Sequence, residues 1–306
     1  MKYELLNHQN KGYAYVQALS SKYQLTNVEH ADFLFVDFME RGLFAGTEVT
    51  LRDEVVIARE RGIPVFLYPH SVRPNIPFDL VDNHPEVDAL FTISEGHQEV
   101  LRRIGYQYPI EPVGWPYTPL NPFRGDSGNK ILFAPLHPVG RKWLPDMDRE
   151  LNAKTYSLLA NFANVAVRHI SNLEDNGISK VNKNFKHYRV SMRLSYRDIE
   201  YCDLVIAGFT FAYMAIAMGV PTIMLGEGVI PHNTPRYNGK LITAKNWNKY
   251  KDYMHYPYNI EDCRDSNDLS NMIADAKHHP PTQWKERFIG SEFNANSFLQ
   301  KLEGYL

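Results

Sequence analysis

Short apolar runs alternate with longer segments of helical spacing along most of this chain. ADFLFVDF (Ala31–Phe38), IPVFLYP and DALFTIS each read as a buried strand. The segments between them carry the 3.6-residue pattern of amphipathic helices. HQNKGYAYVQALSSKY places Tyr13, Val16, Leu19 and Tyr23 at helical spacing. TEVTLRDEVVIARERG predicts a helix with Thr47 as its N-cap and Gly62 as its stop. Ser94 precedes EGHQEVLRRIG, a short helix ended by Gly105, and YPIEPVGWP follows as a strand and turn.

The alternation pauses at Thr118–Lys130, a Pro/Gly/Asp/Ser/Asn stretch that reads as a linker. A second series then begins. KILFAPL, NVAVRHI and YRVSM read as strands, PDMDRELNAKTYSLLANF and SYRDIEYC as helices. Asp203–Ala207 and Thr222–Leu225 are two apolar strands around Gly208-Phe209-Thr210 and a helix of small residues and methionines, a βαβ unit. Strands and helices in this order predict an α/β chain with parallel, doubly wound sheets. The expected architecture is two Rossmann-like domains facing a cleft, residues 1–122 and 123–282. The tail, 283–306, reads as two helical pieces broken near Gly290 and packing back toward the N-terminal domain.

Composition narrows the class. The chain has 306 residues, a net charge of −2 and two cysteines, Cys202 and Cys263. The charge gives no global field for nucleic acid or an anionic membrane. Neither cysteine sits in a metal-ligand motif, and a disulfide framework is not expected. The N-terminus is too polar for a signal peptide, and no apolar run approaches the roughly 20 residues that span a bilayer. The expectation is a cytoplasmic protein without a transmembrane segment, one that would meet any membrane-linked substrate from the surface.

Ligands of doubly wound sheets bind at the carboxyl ends of the strands. In the N-terminal half those ends carry Asp37, Glu40, His70, Ser94-Glu95 and Gly114-Trp115-Pro116. In the C-terminal half they carry His137, Arg141, Arg168-His169, Met192, Gly208-Phe209-Thr210 and Glu227. The first set offers a histidine and carboxylates, the second cations, hydroxyls and a helix start. A glycine turn into a helix exposes N–H groups at the positive end of the helix dipole, which suits a phosphate. Thr210 could add a hydroxyl bond, or serve only as the N-cap. Arg168 could supply the fork that anions favour. His137 is placed to contact a diphosphate, and Glu227 to hold ribose hydroxyls. His70, with an ordinary pKa of about 6.5, is the natural general base for an acceptor hydroxyl, and Asp37 is its rival.

The order of these motifs resembles the GT-B-type glycosyltransferases, most of all the CDP-glycerol glycerophosphotransferase (teichoic-acid polymerase-like) branch. VFLYPHSVRP is similar to the family's strand and His-Gly loop, KILFAPLHPVGRK to the first strand of its nucleotide domain. ANVAVRHI resembles its Arg-x-His strand end, and YCDLVIAGFTFAYMAIAMGVPTIML its donor-phosphate turn and helix. The resemblance implies His70 as the base, with Arg168, His169 and Thr210 on donor phosphates. Four departures stand out. His-Ser replaces His-Gly, Gly-Phe-Thr-Phe replaces an Asp-Tyr-Ser-Ser run, Arg168 and His169 are adjacent, and Leu136 stands where a Thr is usual. The donor therefore stays open between a nucleotide sugar and a CDP-polyol.

The expected activity is inverting transfer of a sugar from a nucleotide-diphosphate donor to an acceptor hydroxyl. No Asp-x-Asp motif stands at a strand end, so neither a metal nor a cofactor beyond the donor substrate is expected. The acceptor could be a glycan, a cell-wall polymer, a small molecule or a modified DNA base. Alternatives are CDP-glycerol or CDP-ribitol transfer, nucleotide-sugar 2-epimerisation and a non-catalytic nucleotide-binding module.

Overall fold

The computed structural model describes residues 1–6, 14–36, 44–45, 50–51, 53–68, 87–103, 108–115, 130–135, 146–170, 185–190, 196–225 and 256–306. They divide into two compact units. One contains the described residues of 1–119 and 283–306, the other those of 120–229 and 251–282.

The first unit is built on a parallel sheet of six strands: β1 (Lys2–Leu6), β2 (Gln24–Leu25), β3 (Phe33–Val36), β6 (Val65–Leu67), β7 (Ala89–Thr92) and β8 (Ile110–Pro112). Their order is β2-β1-β3-β6-β7-β8. A separate antiparallel pair, β4 (Phe44–Ala45) and β5 (Thr50–Leu51), precedes helix α2 (Asp53–Glu60), and helix α3 (Glu95–Arg103) connects β7 to β8. Helix α2 thus starts later than the sequence pattern suggests. Thr50 and Leu51 are taken by the strand pair, and Asp53 and Glu54 complement the helix N-terminus. Thr47 lies outside the described residues.

Alternation along the central strands sorts the core by chemistry. Leu34, Val36, Val65 and Leu67 face one side with Val55 and Ala58 of α2. Phe33, Phe35, Phe66 and Phe91 face the other and pack against each other at 5.8–6.0 Å between ring centroids, Phe35 stacked on Phe91 and the other pairs edge to face. Helix α1 (Ala14–Lys22) covers this aromatic face with Tyr15, 5.7 Å from Phe35. The four phenylalanines stand two residues apart or on adjacent strands, the period-2 signature of a pleated face. β1 escapes the sequence reading because its burial does not alternate cleanly, although it lies between β2 and β3.

The second unit holds β9 (Ile131–Ala134), β10 (Val165–Ile170), β11 (Lys186–Val190), β12 (Leu204–Ala207) and β13 (Thr222–Met224), all parallel, in the order β11-β10-β9-β12-β13. Counted from the first strand this is 3-2-1-4-5, the doubly wound order. Its crossovers include α4 (Asp146–Leu159), α5 (Tyr196–Glu200) and α6 (Phe209–Ala217), with α7 (Ser266–His278) following later in the chain. β12 is buried throughout, and Phe211 to Ile216 of α6 are all buried. An all-apolar helix of this kind is a core element.

The chain ends in α8 (Thr282–Phe288) and α9 (Ala295–Glu303). Phe298 of α9 enters the aromatic face of the first unit, 5.2 Å from Phe91 and 5.9 Å from Phe35. Among the described residues no helix is long and apolar enough to cross a membrane.

Candidate functional site

In the 3-2-1-4-5 sheet the strand order reverses between β9 and β12, and the crevice for a ligand opens outside the carboxyl ends there. β12 ends at Ala207, and Gly208 leads directly into α6. Gly208 is the N-cap, with φ −110° and ψ 169°, and no side chain caps the helix. Phe209 and Thr210 are its first two residues, so the cap position belongs to Gly208 and not to Thr210. The opening N–H groups of α6 receive no capping bond from an N-cap side chain.

Arg168, the fourth residue of β10, lies beside this turn. Only 3% of its side chain is exposed. Its Nε donates to Asp198 Oδ2 of α5 at 2.9 Å. Its guanidinium carbon sits 4.6 Å from the centroid of the Phe211 ring, in the first turn of α6. Asp198 and Phe211 thereby fix the plane and direction of the guanidinium. Nη2 is buried and has no hydrogen-bond partner. A buried donor of a permanent cation without an acceptor is costly, and an anion at this place would satisfy it.

The row of residues at this level runs across the sheet. Ala207 is opposite Ala134 on one side and Met224 on the other. Val167 is opposite Phe133, which puts Arg168 level with Ala134. Met224 in turn is bridged to Asn259. Asn259 is 1% exposed, and its Nδ2 has no partner.

The strand ends of the first unit differ. The Ser94 hydroxyl, just past β7, donates to the carbonyl of Phe288 at 3.2 Å and accepts from the backbone N–H of His97 at 3.4 Å. Its single proton is thereby used, so the 2.8 Å contact with His97 Nδ1 has the ring as donor. Burial pushes the His97 pKa down to about 4, so at neutral pH the ring is uncharged, with its one proton on Nδ1. Past β8, Trp115 N–H donates to Ser291 O at 2.9 Å, and Phe293 N–H to Trp115 O at 3.3 Å. The backbone contact is so close that a Cβ on Gly114, whose φ is +93°, would stand 2.6 Å from Glu292 O. A Cβ on Gly96 would stand 2.5 Å from Arg287 O. Ser94 and Gly114-Trp115 therefore dock the tail.

Of the residues singled out in the sequence, the structure brings Arg168 together with the Gly208 turn through Phe211. His169 lies next along β10, and Phe209 and Thr210 open α6. His70, Asp37, His137, Arg141, Met192 and Glu227 lie outside the described residues. Asp198, Phe211 and Asn259 are additions from the structure. Asp198 reaches Arg168 across 30 positions, and no local pattern marks such a pairing. Among the described residues no group of His, Cys, Asp and Glu could hold a metal ion.

No protein-family model matches the sequence, and no curated protein matches it. Solved structures do. A structure titled as the glycotransferase of kitacinnamycin matches with a TM-score of 0.54 at 10% identity, covering 100% of this chain and 99% of that one. The spinosyn rhamnosyltransferase SpnG matches at 0.52 and 12% identity over 94% of this chain and 75% of that one. A structure described as a UDP-N-acetylglucosamine 2-epimerase from Listeria monocytogenes matches at 0.50 and 11% identity, over 94% and 76%. The chain spans about half, 54%, of the TarM chain that it also matches. The two parallel-sheet α/β units match GT-B glycosyltransferase folds.

Proposed function

We propose that this protein is a transferase that moves a sugar from a nucleotide-diphosphate sugar to an acceptor hydroxyl, with the donor held by the second unit. One observation carries the reading: Arg168, buried and pinned by Asp198, keeps an unpartnered Nη2 beside the uncapped start of α6. A guanidinium and a helix N-terminus converging at the switch point of a doubly wound sheet fit a phosphate group. In transfer, negative charge develops on the leaving diphosphate, and preorganised donors are most effective there. In this proposal Arg168, Gly208, Phe209 and Thr210 line the diphosphate, with His169, His137, Arg141, Met192 and Glu227 around the remainder of the donor. His70, or Asp37 in its place, takes the proton of the acceptor hydroxyl. That hydroxyl attacks the anomeric carbon, the bond from carbon to diphosphate breaks, and the configuration inverts. The reaction so written requires no divalent metal. A CDP-polyol donor would use the same phosphate contacts with attack at phosphorus.

The test is thermal unfolding of the purified protein against UDP-, GDP-, CDP- and dTDP-linked sugars, CDP-glycerol and CDP-ribitol. A donor present at 100 times its dissociation constant adds about 2.7 kcal/mol of stability. The expected result is stabilisation by one nucleotide family, abolished in Arg168→Gln. The family selected distinguishes sugar from polyol phosphate. Absence of any shift across the panel would refute the donor site. The resemblance in fold to the Listeria epimerase structure motivates one control: conversion of the donor without an acceptor would reassign the reaction to epimerisation.

A further inference from the structure

Asn259 holds a second buried donor on the row that carries Arg168. Its Oδ1 accepts from the backbone N–H of Glu261 at 3.1 Å, capping the short turn Ile260–Asp262. That bond fixes which end of the amide is oxygen, since the nitrogen could not accept. The Nδ2 end is buried and unpartnered. A cap needs only an acceptor, and the next turn shows it: Asp265 caps α7 with carboxylate bonds to the N–H groups of Asn267 and Asp268. The donor end of Asn259 is therefore surplus to the cap.

Its position gives that donor a use. The row reads Arg168, Ala134, Ala207, Met224, Asn259. Residues level with one another in a parallel sheet present their side chains to the same face. Strands are about 4.8 Å apart, so Asn259 lies about 10 Å from Ala207 on one side and Arg168 about 10 Å on the other. The start of α6 is between them. Arg168 and the helix dipole already match a phosphate charge. The neutral Asn259 amide, two strands away, faces a different part of the same ligand.

We propose that Asn259 is a specificity-determining residue of this site. Its Nδ2 donates to an uncharged oxygen, a hydroxyl or a carbonyl, on the nucleoside or sugar portion attached to the phosphate. The assignment rests on the donor reading of the second unit. Its readout is the difference between a complete nucleotide and its phosphate portion alone.

Titration calorimetry with UDP, GDP, CDP and dTDP, and with inorganic pyrophosphate, tests it on wild type, Asn259→Ala and Asn259→Asp. Asn259→Asp keeps the cap acceptor and removes the donor, so it covers the case in which Asn259→Ala is poorly folded. The nucleoside diphosphate that wild type selects should bind about 5- to 10-fold more weakly to Asn259→Ala. Asn259→Asp should weaken it further, because a carboxylate then faces the ligand oxygen. Pyrophosphate should bind Asn259→Ala as it binds wild type. Unchanged nucleotide affinity in both variants makes Asn259 a turn cap and overturns the proposal, while the donor reading stands. Equal weakening of pyrophosphate and nucleotide also overturns it. Wild type that binds none of the four nucleotides removes the donor reading itself, and this proposal with it.

Discussion

The two sheets share an architecture and differ at their carboxyl ends. In the first unit the ends of β7 and β8 are covered by the chain's own tail. The Ser94 hydroxyl has its one proton and both acceptor sites in use, and Gly114 touches the tail backbone. In the second unit the ends of β10 and of the segment beside β13 carry Arg168 and Asn259, each with a buried nitrogen that no protein group satisfies. The same topological position thus serves cohesion in one sheet and is left chemically unfinished in the other. Position at a strand end is not enough to mark a ligand site. What marks Arg168 and Asn259 is the chemistry of the group left over, a buried cationic or amide N–H donor without an acceptor, because native proteins pair nearly all their buried polar atoms.

The contrast can be broken from either side, starting with the largest effect. Asp198→Ala strands the Arg168 guanidinium in the interior, where removal of one partner of a buried pair typically costs about 3–5 kcal/mol. Urea unfolding should show that loss, and nucleotide binding should weaken with it as the guanidinium loses its orientation. Wild-type stability in Asp198→Ala would mean that Arg168 finds water or another acceptor and is not held. In the first unit Gly114→Ala should cost about 2–4 kcal/mol, from a left-handed backbone and a methyl driven into Glu292 O. Limited proteolysis should then cut near the start of α9. A stable Gly114→Ala with a protected tail would show that the tail contact can yield.

The last of these effects appears only as pH falls. Folded His97 takes a proton only below about 4, whereas in the unfolded chain it does so near 6.5. Its contribution is therefore complete above about pH 6.5. It drains away as pH falls toward 4, because the unfolded state binds the proton first. The whole contribution is about 3 kcal/mol. His97→Asn keeps a donor toward Ser94 and removes the titration, so its stability should fall less between pH 6.5 and 4. Parallel curves for wild type and variant would show that His97 is not the group responsible.

Much of the fold was legible in the residues. FLFV, VFL, ALFT, ILFA and LVIA are each buried on both faces of a parallel sheet, and such strands read as unbroken apolar runs. The Gly208 turn stood out because a glycine between a buried strand and an apolar helix is rare punctuation. β1 was not legible, since KYELL mixes charges with apolar residues and gains its place by pairing with β3. Nor was α7, whose sequence SNDLSNMIADAKH buries only Leu269 and Ala276 of its helical residues.

The sequence by itself determined two α/β units, the turn at Gly208 and the candidacy of Arg168, because apolar periodicity and glycine punctuation act over a few residues. Only the tertiary structure decided that Arg168 is held by Asp198, that Phe211 lies under its guanidinium, that Asn259 joins the same row, and that Ser94 and Gly114 dock the tail. Those pairings join residues tens to hundreds of positions apart. They depend on strand register and on which polar atoms burial leaves without a partner, and neither is written in any local stretch of the chain.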